Sequence, residues 1–457
     1  MMPARSLYAI APHLSRAEAE AIVKQVLSYG TADEMRVSVT SGMRQNTRFA
    51  VNQISTAGDD YNATVSIRAV VGKRVANVTV NRLDAAALRA AVQNAERIAK
   101  LAPEDPELLP ELGPQQYREG IAWSDATASL EPEARAEAVR AITEPSRKAG
   151  YVSTGYLEAN ANSVAVGNSK GLLAYTRATS VAYTTTVRTP DGTGSGWAGA
   201  SDNDWRRIDP RLLAERAIEK ARRSVNPVAI EPGRYTVVLE PTAVANLVQL
   251  ISGALGARNA DEGRSFFSKA GGGNKIGEKV VDERVTLVSD PFDARVPASP
   301  FTGEGMPTEK VTWIENGVVR NLAYDRFWAQ RTGKAPVNAG GTLAMAGGSR
   351  TVDELVASTE RGILVTRFWY IRGVDPRTIL FTGLTRDGTF LIENGKVTRP
   401  VKNLRYNESP IFMLNNLMDM GRPERVSASE SGGPGQAIIV PPLKCRDFNF
   451  TSTSDAI

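Results

Sequence analysis

Two stretches place Asn-Gly between β-prone runs: "VTWIENGVVRNLAYD" at 311–325 and "TFLIENGKVTRPV" at 389–401. Asn and Gly both tolerate positive φ, so the dipeptide closes a two-residue turn whose twist matches that of its flanking strands. This feature fixes antiparallel hairpins in the second half of the chain. The shared "IENG" is turn chemistry used twice rather than a duplicated domain. Thirty-nine glycines and 25 prolines extend the need for turns to the whole chain, which is therefore rich in strands.

The first half alternates between the two periodicities. Ser15 and Glu18 make an S-x-x-E capping box ahead of Ile22, Val23, Val26 and Leu27, and Gly30 supplies the stop. Strand-like alternation follows at 35–39, 47–52, 64–71 and 74–80, the last two joined through Gly72 and Lys73. Asp84 opens a second helix with Leu88, Val92, Ala95 and Ile98 on one face. Helix, antiparallel sheet, helix is an α+β layer. Prolines at 103, 106, 110 and 114 mark a stiff connector over about 101–120. A third helix is expected at about 131–148, its end disturbed by Pro145; strands at 151–188; and a helix from Pro210 to about Ser224. "SVNPVAIEPG" then marks a boundary, giving an N-terminal α+β domain over 1–230 and a β-rich, barrel-like C-terminal domain over 231–457.

A chain of 457 residues is larger than one core supports, in agreement with two domains. Fifty-five Lys and Arg against 50 Asp and Glu describe a mixed surface without the basic footprint of a nucleic-acid binder. The single cysteine, Cys445, excludes an intramolecular disulfide and a thiolate metal cluster. The single histidine, His13, excludes a His-based triad or a two-histidine zinc site within this chain. The amino-terminal stretch lacks the apolar region of a signal peptide and no run approaches ~18 apolar residues, so a cytoplasmic protein that does not engage membranes is expected.

Pro241 in a first turn is followed by Val244, Leu247, Val248, Ile251 and Leu255, the apolar stripe of a core-facing helix, with Asn246, Gln249 and Ser252 off the stripe. By itself this helix moves no protons and holds no metal. Asp290, Asp293 and Glu304 read as solvated acids of a turn-rich loop, with cation or peptide-amine binding as the alternative. "KAGGGNKIG" at 269–277 does not match a phosphate-binding loop. "RFWYIRG" at 367–373 places Arg367, Trp369, Ile371 and Gly373 on one strand face and Phe368, Tyr370 and Arg372 on the other. Arg372 could grip a peptide carboxylate or backbone carbonyls beside the aromatic rings, which makes Arg367, Trp369, Tyr370 and Arg372 the candidate substrate-binding residues. A strand with one face in the core is the equal alternative.

The order of "YTVVLEP", the bland helix, "GRSFFSK", "GEKVVDERVTLVSDP", "GEGMPTEKVTWIENGVV", "AYD" and "PPLKCRDFNFTS" resembles the TldD/PmbA family, as does the N-terminal "TRFAVNQIS…VSIRAVVGKRVANVTVN". TldD and TldE (PmbA) members pair as subunits of a metalloprotease. The resemblance implies that in the catalytic TldD branch this helix carries H-E-x-x-x-H, histidines on zinc and the glutamate on its bound water. Histidines five residues apart point about 140° apart at about 100° per residue, so sharing a metal requires a distorted helix. Anchored on Gly253, the ligand positions fall on Gln249 and Ala254 and the glutamate on Leu250. A further cysteine ligand of that branch falls near Ser431 in "SGGPGQ", fourteen residues before Cys445. None of these positions supplies the group.

The departure matches the TldE/PmbA branch. It implies a chain with no catalytic or metal residues of its own, paired with a zinc-bearing TldD-like subunit and acting on peptides or unfolded segments held at an open sheet edge. Two alternatives stand beside it. One is a stand-alone peptide-binding scaffold that pairs with itself; the other is an enzyme with a metal-independent site at Ser431 or the Asp290/Glu304 acids.

Overall fold

The computed structural model describes residues 12–427 and 437–454. Helix α1 (Arg16–Tyr29) starts at the capping box, in which the Ser15 side chain accepts from the Glu18 N–H and the Glu18 carboxylate accepts from the Ser15 N–H. Strands β1 (Glu34–Ala50), β2 (Gln53–Val71) and β3 (Arg74–Val80) lead into helix α2 (Ala85–Leu101). A short helix α3 (Asp125–Ala128) precedes helix α4 (Pro132–Lys148), which runs on through Pro145. Strands β4 (Val152–Asn168), β5 (Leu173–Arg188) and β6 (Ser195–Asp202) complete an antiparallel sheet of order β3-β2-β1-β4-β5-β6, and helix α5 (Pro210–Arg223) packs on it.

The sequence splits β1 into two pieces, whereas the structure holds one continuous strand that turns at Val51–Asn52, with φ of 51° and 59°. The turn was hidden because a β-branched residue rarely adopts positive φ. Asn52 fixes it: its Nδ2 donates to the Tyr151 carbonyl and its Oδ1 accepts from the Ser153 N–H and hydroxyl. The middle of β1 was hidden for a different reason. Its buried face changes from Val37 and Val39 to Ser41, Met43, Gln45 and Thr47, three of these four polar, before returning to Phe49. The two apolar ends serve separate helix pairs, α1 with α2 and α4 with α5. Between them Ser41 bonds Ser163, and the Gln45 amide donates to the Leu130 carbonyl.

The C-terminal half is strand-rich, and its strands lie in two open sheets rather than a closed barrel. A nine-stranded sheet runs from its edge strand Phe368–Asp375 through Leu380–Thr385, Leu404–Glu408 and Leu443–Thr453 to strand β7 (Gly233–Leu239) and beyond. A six-stranded sheet ends in Ala437–Val440 and Glu424–Ser427. Both Asn-Gly pairs turn as their chemistry requires: φ is 50° and 78° at Asn316 and Gly317, and 50° and 74° at Asn394 and Gly395. Helix α6 (Pro241–Ala254) follows β7 and contacts strands of both sheets, so it lies inside the largest core of the described residues. Among the described residues no helix is long and apolar enough to cross a membrane.

Candidate functional site

Helix α6 has Pro at its first position and is buried without interruption from Ala243 to Val248. The apolar stripe is buried as its spacing requires, but Asn246 is buried with it, at 0% exposure. From Ala243 to Val248 the helix is covered all round, although Ser252 and Gly253 near its end are exposed, so the one polar residue in this stretch must be satisfied internally. The Asn246 Oδ1 accepts from the Phe368 N–H at 3.1 Å, which ties the helix to the start of the edge strand.

The three motif positions diverge in space. Gln249 lines a cavity of about 330 Å³ with Ser252, Trp313, Thr342 and Ile438, and no residue lining it carries a charge. Leu250 and Ala254 pack against the core instead. Zinc requires imidazole, thiolate or carboxylate donors, and an amide, an isobutyl and a methyl group do not fit it. Among the described residues no three His, Cys, Asp or Glu side chains gather in a metal-binding group. Ser431 lies outside the described residues. Cys445 is fully buried in the Leu443–Thr453 strand, where burial pushes its thiol well above the ordinary value.

A second, larger cavity of about 570 Å³ opens where the N-terminal sheet meets the edge strand Phe368–Asp375. Arg367 and Trp369 project into it and Phe368 points the other way, its ring stacked on Phe448 at 5.6 Å. The alternation expected over 367–373 stops there. Tyr370 has φ of 54° and the pairing with Leu380–Thr385 shifts register between Trp369 and Arg372. Tyr370 and Arg372 therefore leave the cavity wall; Tyr370 is half exposed and Arg372 lies over its ring at 4.2 Å. Of the four candidate substrate-binding residues, Arg367 and Trp369 stand together in the cavity, and Tyr370 and Arg372 stand outside it.

Sequence reasoning missed the rest of that wall. Trp197 comes from β6, a strand not anticipated because "SGWAGASD" is nearly all small residues. The glycine there is structural: a Cβ on Gly196 would lie 2.1 Å from the Ala217 carbonyl oxygen of α5. The buried Arg367 guanidinium sits 4.5 Å from the Trp197 ring and 5.4 Å from Trp369, and Arg386 lies 5.2 Å from Trp369 on the same wall. The Arg386 N–H donates to the Arg367 carbonyl, which sets the two arginines side by side. Asp387, with φ of 54°, pairs with Arg367 at 3.4 Å and accepts from the Ser195 hydroxyl of β6 at 2.6 Å. Arg48, Arg188 and Tyr156 complete the opposite wall, with Arg48 lying 5.7 Å from the Tyr156 ring.

The remaining sequence candidates are engaged locally. Arg295 holds the Asp293 carboxyl below its ordinary value, and Glu304 pairs with Arg326 at 3.2 Å. Asp290 accepts from the Phe292 N–H. His13 lies with its ring edge-on to Trp123 at 4.8 Å, and its Nδ1 is 2.8 Å from the Leu14 carbonyl.

Three domain models of one family match the chain: PmbA/TldA metallopeptidase domain 1 over residues 36–99, the central domain over 124–225 and the C-terminal domain over 232–452. A metalloprotease of Methanothermobacter thermautotrophicus is 27% identical over 320 residues, 64% of this chain and 67% of that protein. A metalloprotease TldD homolog of Haemophilus influenzae is 26% identical over 276 residues, 55% of each chain. The chain thus spans between about half and two-thirds of the length of these curated relatives. The crystal structure of TldE from Thermococcus kodakarensis has the same fold, with a TM-score of 0.83 at 21% identity, covering 95% of this chain and 99% of that one. A putative modulator of DNA gyrase from Bacteroides thetaiotaomicron is similar in fold, with a TM-score of 0.81 at 22% identity, 95% of this chain and 98% of that one. With the three models together taking in most of its length, the chain belongs to the PmbA/TldD metallopeptidase family.

Proposed function

We propose that this chain is the metal-free subunit of a TldD/TldE-type metalloprotease, a cytoplasmic protein that binds peptides or unfolded segments beside a zinc-bearing TldD-like partner. One observation carries the reading: the helix that would supply H-E-x-x-x-H in the catalytic branch presents Gln249, which lines a cavity, and Leu250 and Ala254, which pack against the core. The neutral lining of that cavity suits substrate packing and gives no group that activates water. The edge strand Phe368–Asp375, with Tyr370 and Val374 half exposed, supports a role in holding extended chain by added-strand pairing.

The test is reconstitution. The purified chain is mixed with a zinc-loaded TldD-like subunit and assayed on unfolded peptide substrates. Chelator-sensitive hydrolysis by the mixture that exceeds that of the partner alone, with none from this chain alone, is the expected result. Failure to form a complex at micromolar concentration, or hydrolysis by this chain alone that survives chelation, removes the proposal.

A further inference from the structure

The cavity between the N-terminal sheet and the edge strand is cationic as well as aromatic. Arg48, Arg188, Arg367 and Arg386 line it, against the single carboxylate of Asp387. Trp197 and Trp369 flank the Arg367 guanidinium, and Arg386 shares the Trp369 ring. Such packing holds guanidinium planes in fixed orientations, so less freedom is lost when an oxyanion arrives. Each guanidinium carries five N–H donors in a rigid planar fork whose geometry matches the two oxygens of a carboxylate. Arg367 is also deeply buried, which strengthens its hydrogen bonds to an anion relative to those of a surface arginine.

The anion's source follows from what adjoins the cavity. Trp369 sits on the terminal strand of the nine-stranded sheet, and that strand continues outward past the bulge at Tyr370 to Gly373 and Val374. An extended peptide running along this strand would arrive at the arginines with one of its carboxylates. The cavity, about 570 Å³, accommodates one or two terminal residues rather than a folded domain.

We infer that this cleft binds a carboxylate of the peptide, with Arg367 and Arg386 as its ligands and Trp197 and Trp369 as the apolar walls around the adjoining residue. The inference rests on the peptide-binding reading above and names the feature of the substrate that this chain selects.

The test uses the full chain and three synthetic peptides of one uncharged sequence: the free acid, its C-terminal amide, and the amide with one internal glutamate. Titration calorimetry is expected to show the free acid or the glutamate peptide binding roughly tenfold or more tighter than the plain amide, consistent with charge-assisted hydrogen bonds. The two carboxylate-bearing peptides separate a chain end from an acidic side chain. Arg386→Gln is expected to bring the ratio close to one; Arg386→Lys, which keeps the charge without the planar fork, is expected to lower it severalfold and provides a second variant if the first unfolds. Equal affinity for all three peptides, or a preference unchanged in both variants, overturns the inference. Carboxylate preference without partner-dependent hydrolysis leaves the inference standing and removes the subunit reading; hydrolysis without the preference does the reverse.

Discussion

Replacing Asn246 tests whether helix α6 sets the position of the cleft. Its Oδ1 is the acceptor for the Phe368 N–H in a site with no solvent exposure, one residue from Arg367 and one from Trp369. In Asn246→Leu the side chain fills roughly the space of the amide, but the N–H loses that acceptor. An amide N–H left unsatisfied in the core costs about 1–3 kcal/mol. The greater apolarity of leucine offsets part of this, so a net loss of about 1–2 kcal/mol is expected, which lowers Tm by roughly 2–8 °C for a domain of this size. Asn246→Ala adds the cost of a cavity and is expected to lose about 2–4 kcal/mol. Urea unfolding of the wild type and both variants, followed by far-ultraviolet circular dichroism, gives the comparison. If Asn246→Leu proves as stable as the wild type or more stable, the bond is not what joins helix to strand, and the coupling argued from it fails.

Two further outcomes follow from backbone strain and burial. Val51 is 68% exposed at φ of 51°; a left-handed backbone costs a β-branched residue about 1–2 kcal/mol, and glycine returns about half of that as chain entropy, so Val51→Gly is expected to raise stability by roughly 0.5–1 kcal/mol in urea unfolding. Burial raises the Glu408 carboxyl above its ordinary value of 4.5, although the Ser409 and Asn449 N–H groups oppose the shift. From pH 4.5 upward the folded chain therefore holds more protons than the unfolded one, and this group's contribution to stability falls as pH rises through that window. Glu408→Gln loses one acceptor at every pH but has no titration. Its stability relative to the wild type is thus expected to improve between pH 4.5 and 7.5, and a constant difference contradicts the assignment.

How much the sequence revealed depended on whether a signal was local. The α1 capping box, the two Asn-Gly turns and the stripe of α6 are fixed by residues within a few positions of one another, and each formed where its chemistry requires. The turn at Val51 breaks a local rule, and three hydrogen bonds from the Asn52 side chain to residues about a hundred positions away hold it. β6 has no hydrophobic alternation to detect, because Gly196 answers to the close approach of α5 and Gly199 to the Trp197 ring and Thr184. Arg367 and Trp369 were visible as chemistry. Their setting was not, since Trp197 and Arg48 reach them through sheet topology, and the Tyr370 bulge that excludes Tyr370 and Arg372 depends on pairing across the sheet.

The same separation explains how α6 keeps its shape without catalytic groups. The residues that hold it in place are Val244, Leu247, Val248, Ile251 and the anchor Asn246, and none of these occupies a motif position. Gln249, Leu250 and Ala254 lie in its last turns and are all less buried than that core set. Changing them alters what a cavity wall presents without disturbing the packing that fixes the helix. A zinc-binding version and a neutral version of this helix are therefore both compatible with one fold, and a high TM-score carries no information about which is present. The chemistry of such a chain has to be read from three side chains. On the reading proposed above, Gln249, Leu250 and Ala254 leave zinc without ligands, and the arginines and tryptophans that line the neighbouring cleft would recognise an anion without transforming it.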